Sequence, residues 1–224
     1  MMAYWGYKFE TLSLLPRPWH ETSRDYIEDR ENLIVNNKAQ YCSVVETELG
    51  STTLILGGEI DGVWDMKNNY GMPVNWIELK TCAELRNERD IDLLHHKLRK
   101  FYIQSYLLGV PKIIVGFRSP NGILERIEEF QTLSIPNIVM KRKHLWDANI
   151  CLSFANSFLK FLRVTISQGP QDMADEDAPM WRIRRAKHSS VIEVFRVDGN
   201  ARSILLPEFV TWRLGLDCNT KKVG

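Results

Sequence analysis

The fold is decided by a β-rich stretch at residues 41–63, which reads YCSVVETELGSTTLILGGEIDGV. Alternating and β-branched side chains fill residues 41–49 and 52–63, and Gly50 lies in the turn between them. Two such runs joined by a glycine turn are typical of a β-hairpin. A further strand is predicted over residues 74–81, where apolar and polar side chains alternate.

The elements that follow are predicted from the same periodicities. Apolar residues recur at steps of three and four between residues 88 and 108, which predicts an amphipathic helix that ends at Gly109. A second long helix is predicted over residues 144–166. The other predicted elements are strands at 112–117, 123–131, 180–185 and 190–197 and a short helix that begins at Pro207. The whole pattern predicts an α+β fold with a mixed β-sheet core flanked by helices.

Composition limits the class of protein. A chain of 224 residues with 44% hydrophobic and 25% charged side chains can bury a core, and we expect one domain over residues 1–224 with a mobile acidic loop at 169–179. The net charge of +1 argues against binding nucleic acid or membrane through bulk charge alone. The apolar stretch at 148–161 is interrupted by polar residues and is too short for a membrane span, so we expect a soluble protein without a membrane partner.

The four cysteines indicate the compartment. They lie far apart, with no CxxC pair and no histidine at ligand spacing, so the sequence predicts neither a disulfide framework nor a zinc site. A reducing compartment, the cytosol or the nucleus, fits this pattern.

The strongest chemical signal is a group of charged residues on neighbouring strands. Alternation along one strand places Glu59 and Asp61 on the same face, while Ile60 points into the core. In the next strand Glu78 and Lys80 share a face in the same way. Carboxylates that meet in one place repel each other unless a hard cation lies among them, and Mg²⁺ or Mn²⁺ prefers oxygen ligands. The pattern therefore predicts a divalent metal site.

A lysine beside such a site can stabilise charge on a phosphoryl oxygen, as metal-assisted phosphodiester hydrolysis requires. The order Asp61, spacer, Glu78-x-Lys80 resembles the core of PD-(D/E)XK nucleases. The alternative is that these side chains line a solvated strand face and form ordinary surface salt bridges.

Four motifs in order make the resemblance more specific, and they are similar to those of the DXO-type decapping nucleases. The stretch at residues 100–117 resembles the fungal nuclear branch of that family. The motifs are Gly6-Tyr7-Lys8-Phe9-Glu10, Gly58-Glu59-Ile60-Asp61, Glu78-Leu79-Lys80-Thr81 and Tyr102-Ile103-Gln104-Ser105.

This resemblance implies a hydrolase of RNA 5′ ends that needs Mg²⁺ or Mn²⁺. Members release pyrophosphate from 5′-triphosphorylated RNA and remove incomplete caps, and the fungal branch binds and stimulates the nuclear 5′→3′ exoribonuclease. The implied location is the nucleus, with the cytoplasm as the alternative. A catalytically weak partner of the exoribonuclease is a rival reading, and a DNA endonuclease with the same acidic core is another.

The resemblance also implies roles for individual residues. The local sequence alone supports a metal-binding role for Glu10 only weakly, because Glu10 could equally be a solvated helix residue. Gln104, taken without the resemblance, could be an ordinary glutamine on the helix surface. The implied metal-binding residues are Glu10, Asp61, Glu78, the Leu79 carbonyl and, directly or through water, Glu59. Lys80 and Gln104 would contact the scissile phosphate. Glu59 would also contact the substrate.

One part of the family pattern has no counterpart in this sequence. Family members carry an N-terminal portion with a phosphate-binding arginine motif before the Gly-x-x-x-Glu motif, which begins here at Gly6. We therefore expect the chain to correspond to the C-terminal part of the family fold.

Overall fold

The computed structural model describes residues 2–66, 72–142, 145–167, 179–200 and 206–213. The chain forms two compact units, residues 1–153 and 154–224. The expectation of one domain over the whole chain stays a prediction.

The first unit contains the predicted hairpin, formed by β1 (Cys42–Leu49) and β2 (Thr52–Glu59). Gly50 lies in the turn with φ of 63°, a backbone conformation that favours glycine. The inward side chains of the hairpin include Val45 and Leu56, which pack against the buried Ile60. The prediction of a hairpin is thus confirmed, although the second strand ends at Glu59 rather than at residue 63.

A separate four-stranded sheet forms the centre of this unit. Its strands are β3 (Gly62–Val63), β4 (Trp76–Ala83), β5 (Lys112–Arg118) and β6 (Leu124–Gln131), in that spatial order. The β4 and β5 strands are parallel, and the other two pairs are antiparallel. The predicted mixed sheet and α+β class are therefore confirmed.

The parallel pair is connected by the long helix α3 (Glu88–Leu108), as parallel strands require. Its start is fixed by Asn87, whose side chain accepts a hydrogen bond from the backbone N–H of Asp90, and its end by Gly109 at φ of 70°. The apolar stripe of α3 packs on one face of the sheet, which confirms the predicted helix. The buried contacts include Leu98, Phe101, Tyr102, Ile113, Val115 and Phe117.

The opposite face of the sheet is covered by helix α1 (Met2–Ser13), to which the sequence analysis assigned no element. Phe9 of α1 packs against Ile77 and Leu79. Close approach is possible because residue 116 is glycine: a Cβ added there would lie 2.7 Å from the Phe9 ring. Short helical segments complete the first unit, among them α2 (Arg24–Asp29) and α4 (Ile135–Met140).

Helix α5 (Ala148–Ser167) begins in the first unit and ends in the second. It is 20 residues long, which together with its composition would suffice for a membrane span. One such helix is weak evidence for a membrane protein, because long apolar helices of soluble proteins meet the same criteria of length and composition. The expectation that this stretch is too short is wrong, since the helix continues beyond residue 161; the absence of a membrane partner stays a prediction.

The second unit also contains an antiparallel hairpin of β7 (Pro179–Arg184) and β8 (Glu193–Asn200), followed by α6 (Pro207–Arg213). These elements confirm the two late strands and the terminal helix. His144, at the predicted start of the second long helix, and most of the predicted mobile loop, residues 169–178, lie outside the described residues.

Candidate active site

Strand β4 leaves one of its edges unpaired beside the acidic residues. β3 pairs only with Trp76 and Ile77, so none of the described strands lies along that side of β4 from Glu78 onward. Asp61 occupies the position of a neighbouring strand, because its Oδ2 accepts a hydrogen bond of 2.6 Å from the backbone N–H of Leu79. The N–H and C=O of one strand residue point to the same edge. The Leu79 carbonyl therefore faces the side on which Asp61 lies.

This arrangement corrects one detail of the sequence analysis, which placed Glu59 and Asp61 on a single strand. Glu59 is the last residue of β2, and Asp61 lies in the connection to β3. The N–H of Ile60 still donates to the carbonyl of Tyr41 and the Ile60 side chain is buried, after which the chain crosses to the second sheet.

Glu78 is the centre of a hydrogen-bonded group between β4 and α3. Its side chain is 2% exposed, and its Oε1 accepts a hydrogen bond of 2.8 Å from Gln104 Nε2. The Lys80 ammonium donates to the same oxygen. The other oxygen, Oε2, is buried and has no hydrogen-bond partner among the described residues. Lys80 itself is 25% exposed, so it lies at the border of this group with solvent.

The alternative of a solvated face with surface salt bridges is wrong for Glu78. A buried carboxylate shared by an ammonium and an amide differs from an exposed ion pair, because its charge is largely withdrawn from water. The reading of Gln104 as an ordinary surface glutamine is wrong for the same reason, since its amide is directed at Glu78.

Glu10 and Glu59 complete the acidic group. Glu10 lies near the end of α1 and is half-buried, whereas Glu59 is exposed at the end of β2. Both line one cavity with Asp61. The structure therefore brings Glu10 to the carboxylates from a part of the chain that is remote in sequence, and Glu10 is not a freely solvated helix residue.

Burial raises the pKa values of three residues of the acidic group, and repulsion between carboxylates adds to this effect at Glu10 and Glu78. Burial raises the pKa of Glu10 to about 7, repulsion by Asp61, Glu59 and Glu78 adds to this effect, and Lys80 opposes it. Burial also raises the pKa of Asp61, although the hydrogen bond from the Leu79 N–H and the charge of Lys80 lower it. The pKa of Glu78 is raised by burial as well, and Lys80 opposes that shift.

These oxygen atoms fit a divalent cation. Within the described parts of the chain, no three acidic, histidine or cysteine side chains are close enough to form a ready metal cluster. The buried Glu78 Oε2 nevertheless lacks a partner, and the nearby groups are carboxylates and a backbone carbonyl, which suit Mg²⁺ or Mn²⁺. A cation would also relieve the repulsion that raises the pKa of Glu10.

Two cavities meet at Asp61. The smaller one, of about 320 Å³, also contains Glu10 and Glu59 and is lined in addition by Tyr7, Tyr26 and Tyr41. The larger one, of about 900 Å³, lies against the α1 face of the sheet and is mainly apolar. No sequence pattern predicted that these three tyrosines line a cavity or that Asp61 bonds to Leu79. Only Tyr7 and Tyr41 carried a local signal, because Tyr7 lies within the Glu10 motif and Tyr41 begins the predicted hairpin.

Solved structures share this architecture. The crystal structure of Candida albicans Rai1 in complex with pU5-Mn²⁺ matches with a TM-score of 0.80 at 32% sequence identity, over 94% of this chain and 56% of that one. The crystal structure of Scheffersomyces stipitis Rai1 in complex with (3′-NADP)+ and calcium ion matches with a TM-score of 0.81 at 30% identity, over 94% and 55%. Fold and acidic site together define the class of protein as a nuclease of the PD-(D/E)XK type.

The family follows from sequence. A family model described as "RAI1 like PD-(D/E)XK nuclease" matches residues 1–210. The decapping nuclease RAI1 of Aspergillus fumigatus is 53% identical over 216 residues, which are 95% of this chain and 57% of that protein. The chain belongs to the RAI1-like PD-(D/E)XK nuclease family, as its motifs indicated. It spans less than two thirds of the length of the curated relatives it matches.

Proposed function

We propose that this chain carries the hydrolytic site of a Mg²⁺- or Mn²⁺-dependent enzyme that acts on RNA 5′ ends. The reactions are release of pyrophosphate from 5′-triphosphorylated RNA and removal of incomplete caps. The observation that carries the proposal is the buried Glu78, held by Lys80 and Gln104 beside the edge that Asp61 occupies. The complex of Candida albicans Rai1 with pU5-Mn²⁺ and the name decapping nuclease RAI1 of the Aspergillus relative support it.

The acidic group and one carbonyl are the proposed ligands of the cation. Glu10, Glu59 and Asp61 line one cavity, and Asp61 also bonds to the unpaired edge of β4. Burial and repulsion between the carboxylates raise the pKa values of Glu10 and Glu78, which disfavours full ionisation in the cation's absence. When bound, a divalent cation polarises a phosphoryl oxygen and lowers the pKa of a coordinated water. The proposed ligands are Glu10, Glu59, Asp61, Glu78 and the Leu79 carbonyl.

Lys80 and Gln104 are the proposed contacts to the scissile phosphate. Both donate to the same oxygen of Glu78, so an ammonium and an amide N–H group converge at one point beside the carboxylates. The Phe101 ring lies beside this point, with its centroid 6.0 Å from Lys80 Nζ. A positive charge held there stabilises the negative charge that develops on a phosphoryl oxygen in the transition state.

The test is hydrolysis of a 5′-triphosphorylated RNA in Mn²⁺, measured as the release of pyrophosphate. We expect activity that EDTA abolishes, that Mg²⁺ or Mn²⁺ restores and that Glu78→Gln removes. A DNA of the same sequence serves as the matched control. Cleavage of the DNA at an equal rate would favour the endonuclease reading, and activity that persists in EDTA would exclude the proposed chemistry.

A second candidate function is binding of a nuclear 5′→3′ exoribonuclease, and it includes the proposal that the protein is nuclear. The observation that favours it is the larger cavity, whose lining includes Trp19, Trp64 and Ile127 with exposed fractions of 61%, 44% and 54%. Exposed apolar patches of this kind are typical of protein–protein interfaces. This cavity lies against the sheet face opposite to α3, and of the proposed site residues its lining includes only Asp61 and Leu79.

Binding and catalysis can be separated by experiment. We expect Trp19→Ala to weaken association with the exoribonuclease from the same organism, measured by isothermal titration calorimetry, and to leave RNA hydrolysis within a few-fold of wild type. Tyr4→Ala, which removes an exposed aromatic residue outside the cavity, is the control. Association without any hydrolysis of triphosphorylated RNA would identify the chain as a partner that is not an enzyme.

A further inference from the structure

The β7–β8 hairpin of the second unit concentrates positive charge that the proposed hydrolysis does not use. Residues 179–200, which we call the basic hairpin, contain five arginines and lysines and two acidic residues, whereas the whole chain has a net charge of +1. The surplus of three positive charges therefore belongs to this segment, and the rest of the chain is slightly acidic. The five cations, all exposed, are Arg182, Arg184, Arg185, Lys187 and Arg196.

Strand pairing determines which of these side chains share a face. Arg182 lies opposite Phe195, and Arg184 lies opposite Glu193. Directly opposed residues of an antiparallel pair point to the same side, so both arginines lie next to the Phe195 ring, which is 37% exposed. The Arg184 Cζ atom is 5.8 Å from the centroid of that ring, and its Nε donates a hydrogen bond of 2.8 Å to Glu193. One side of the basic hairpin thus presents cations around an exposed aromatic ring.

Only part of this charge is neutralised within the hairpin. Arg184 pairs with Glu193, whereas Arg182, Lys187 and Arg196 form no ion pair with any residue that the structure describes. A soluble surface needs no such surplus of one sign, because interspersed charges of both signs suffice. Exposed cations without a partner attract a polyanion and release its counterions on binding. The charge pattern therefore indicates a polyanionic ligand.

The tip of the basic hairpin has a defined conformation. The N–H of Ser189 donates to the carbonyl of Ala186 at 3.0 Å, and Arg185 Nε donates to the carbonyl of Ser189 at 2.9 Å. Lys187 and His188 are exposed between these bonds. A cationic surface that is already ordered loses less conformational entropy when a ligand binds.

We propose that the basic hairpin binds single-stranded RNA at a site that shares no residue with the candidate active site. Arg182 and Lys187 contact phosphates, and Phe195 stacks on a base. Cations that follow the backbone, combined with aromatic rings that stack on bases, are the general means of binding single-stranded nucleic acid. An acidic peptide would satisfy the cations but would leave the exposed ring without a role. The site needs neither a metal ion nor a 5′ phosphate, so it goes beyond the proposed hydrolysis.

The test measures RNA binding where the metal site cannot contribute. The probe is a 3′-fluorescein-labelled oligouridine of fifteen nucleotides with a 5′-hydroxyl end, and its anisotropy is followed in EDTA at several salt concentrations. We expect the wild type to bind it. Arg182→Gln combined with Lys187→Gln should reduce the slope of log K against log salt by about 1.4 and weaken binding by about 25-fold at 0.1 M salt. Phe195→Leu should weaken binding at least about fivefold without changing the slope.

A matched control removes the same charge from another surface of the second unit. Lys160→Gln combined with Arg163→Gln takes two exposed cations from α5 and should bind the probe like wild type. Absence of RNA binding in EDTA, equal weakening by the control pair, or wild-type binding by the hairpin variants would overturn the proposal.

Competitors identify the class of ligand. We expect unlabelled oligouridine to displace the probe better than polyglutamate of equal charge or an RNA duplex of equal length. Equal displacement by polyglutamate would overturn the RNA site in favour of an acidic protein partner, and equal displacement by the duplex would overturn the assignment to single strands. RNA binding by the hairpin without hydrolysis of triphosphorylated RNA would refute the proposed function alone, and hydrolysis without such binding would refute the hairpin site alone.

Discussion

The Asp61 carboxylate and the backbone N–H of Leu79 are joined by a hydrogen bond of 2.6 Å, which connects the end of the hairpin to the unpaired edge of β4. This bond satisfies a backbone donor that a neighbouring strand would otherwise satisfy. It also holds a carboxylate beside Glu78 and the Leu79 carbonyl. Asp61 therefore has a structural task and a proposed metal-binding task, and substitutions can separate the two.

Asp61→Asn keeps an acceptor oxygen for the Leu79 N–H but removes the charge. We expect it to unfold at nearly the wild-type temperature and to bind Mn²⁺ at least about tenfold more weakly, measured by differential scanning calorimetry and Mn²⁺ titration. Asp61→Ala should lose about 1–3 kcal/mol of unfolding free energy as well, because it leaves a donor unpaired. Wild-type Mn²⁺ affinity in Asp61→Asn would exclude Asp61 as a ligand.

The raised pKa of Glu10 predicts a pH-dependent stability of the metal-free protein. Because this pKa rises from 4.5 to about 7 on folding, the folded state binds the proton more tightly than the unfolded state. The resulting stabilisation is complete below pH 4.5 and is lost as the pH rises through 7. We expect the melting temperature to fall over this window and the gain in melting temperature on adding Mn²⁺ to be larger at pH 8 than at pH 5.5. If the melting temperature of Glu10→Gln falls with pH as steeply as that of the wild type, Glu10 is not the cause of the pH dependence.

Glu78→Gln preserves the size of the buried side chain and removes its charge. Since burial raises the pKa of Glu78, the ionised side chain opposes folding, and the neutral amide should give a melting temperature at pH 8 no lower than that of the metal-free wild type. Turnover should nevertheless be lost. A variant that is more stable and inactive is typical of a residue retained for function rather than for folding. A clearly destabilised Glu78→Gln would instead favour a structural role for the ion pair with Lys80.

Lys80→Gln tests the role of the ammonium group. If Lys80 stabilises charge on the phosphate, kcat should fall by about a hundredfold or more in single-turnover assays at saturating Mn²⁺, while Mn²⁺ affinity does not fall. Lys112→Gln is the matched control, because Lys112 lies on the next strand and forms its own ion pair with Glu129. A kcat within a few-fold of wild type in Lys80→Gln would remove Lys80 from the mechanism.

Local sequence was sufficient for the elements with clear periodicity and clear ends. The hairpin has Gly50 in its turn, and α3 has the Asn87 cap, a regular apolar stripe and Gly109 after its last residue. The alternation around Leu79 likewise predicted that Glu78 and Lys80 share a face. These features depend on neighbours within a few residues, so one sequence is enough to indicate them.

The remaining features depend on contacts between distant segments. Helix α1 carries apolar residues without a strong stripe, and its position is set by Phe9 packing over Gly116, a contact that no local pattern contains. The burial of Glu78 results from α3 lying over it. The place of Asp61 beside the edge of β4 depends on how the chain leaves the hairpin, which strand alternation does not describe. For Glu10, only the order of the family motifs indicated a role.

The most direct test of the central claim, that the unpaired edge of β4 holds the metal of a hydrolytic site, is anomalous X-ray diffraction at the manganese edge from crystals grown with Mn²⁺. We expect an anomalous peak within bonding distance, about 2.0–2.3 Å, of carboxylate oxygens of Asp61 and Glu78 and of the Leu79 carbonyl. A well-ordered structure without a peak at these atoms, from a protein that hydrolyses triphosphorylated RNA under the same conditions, would contradict the claim.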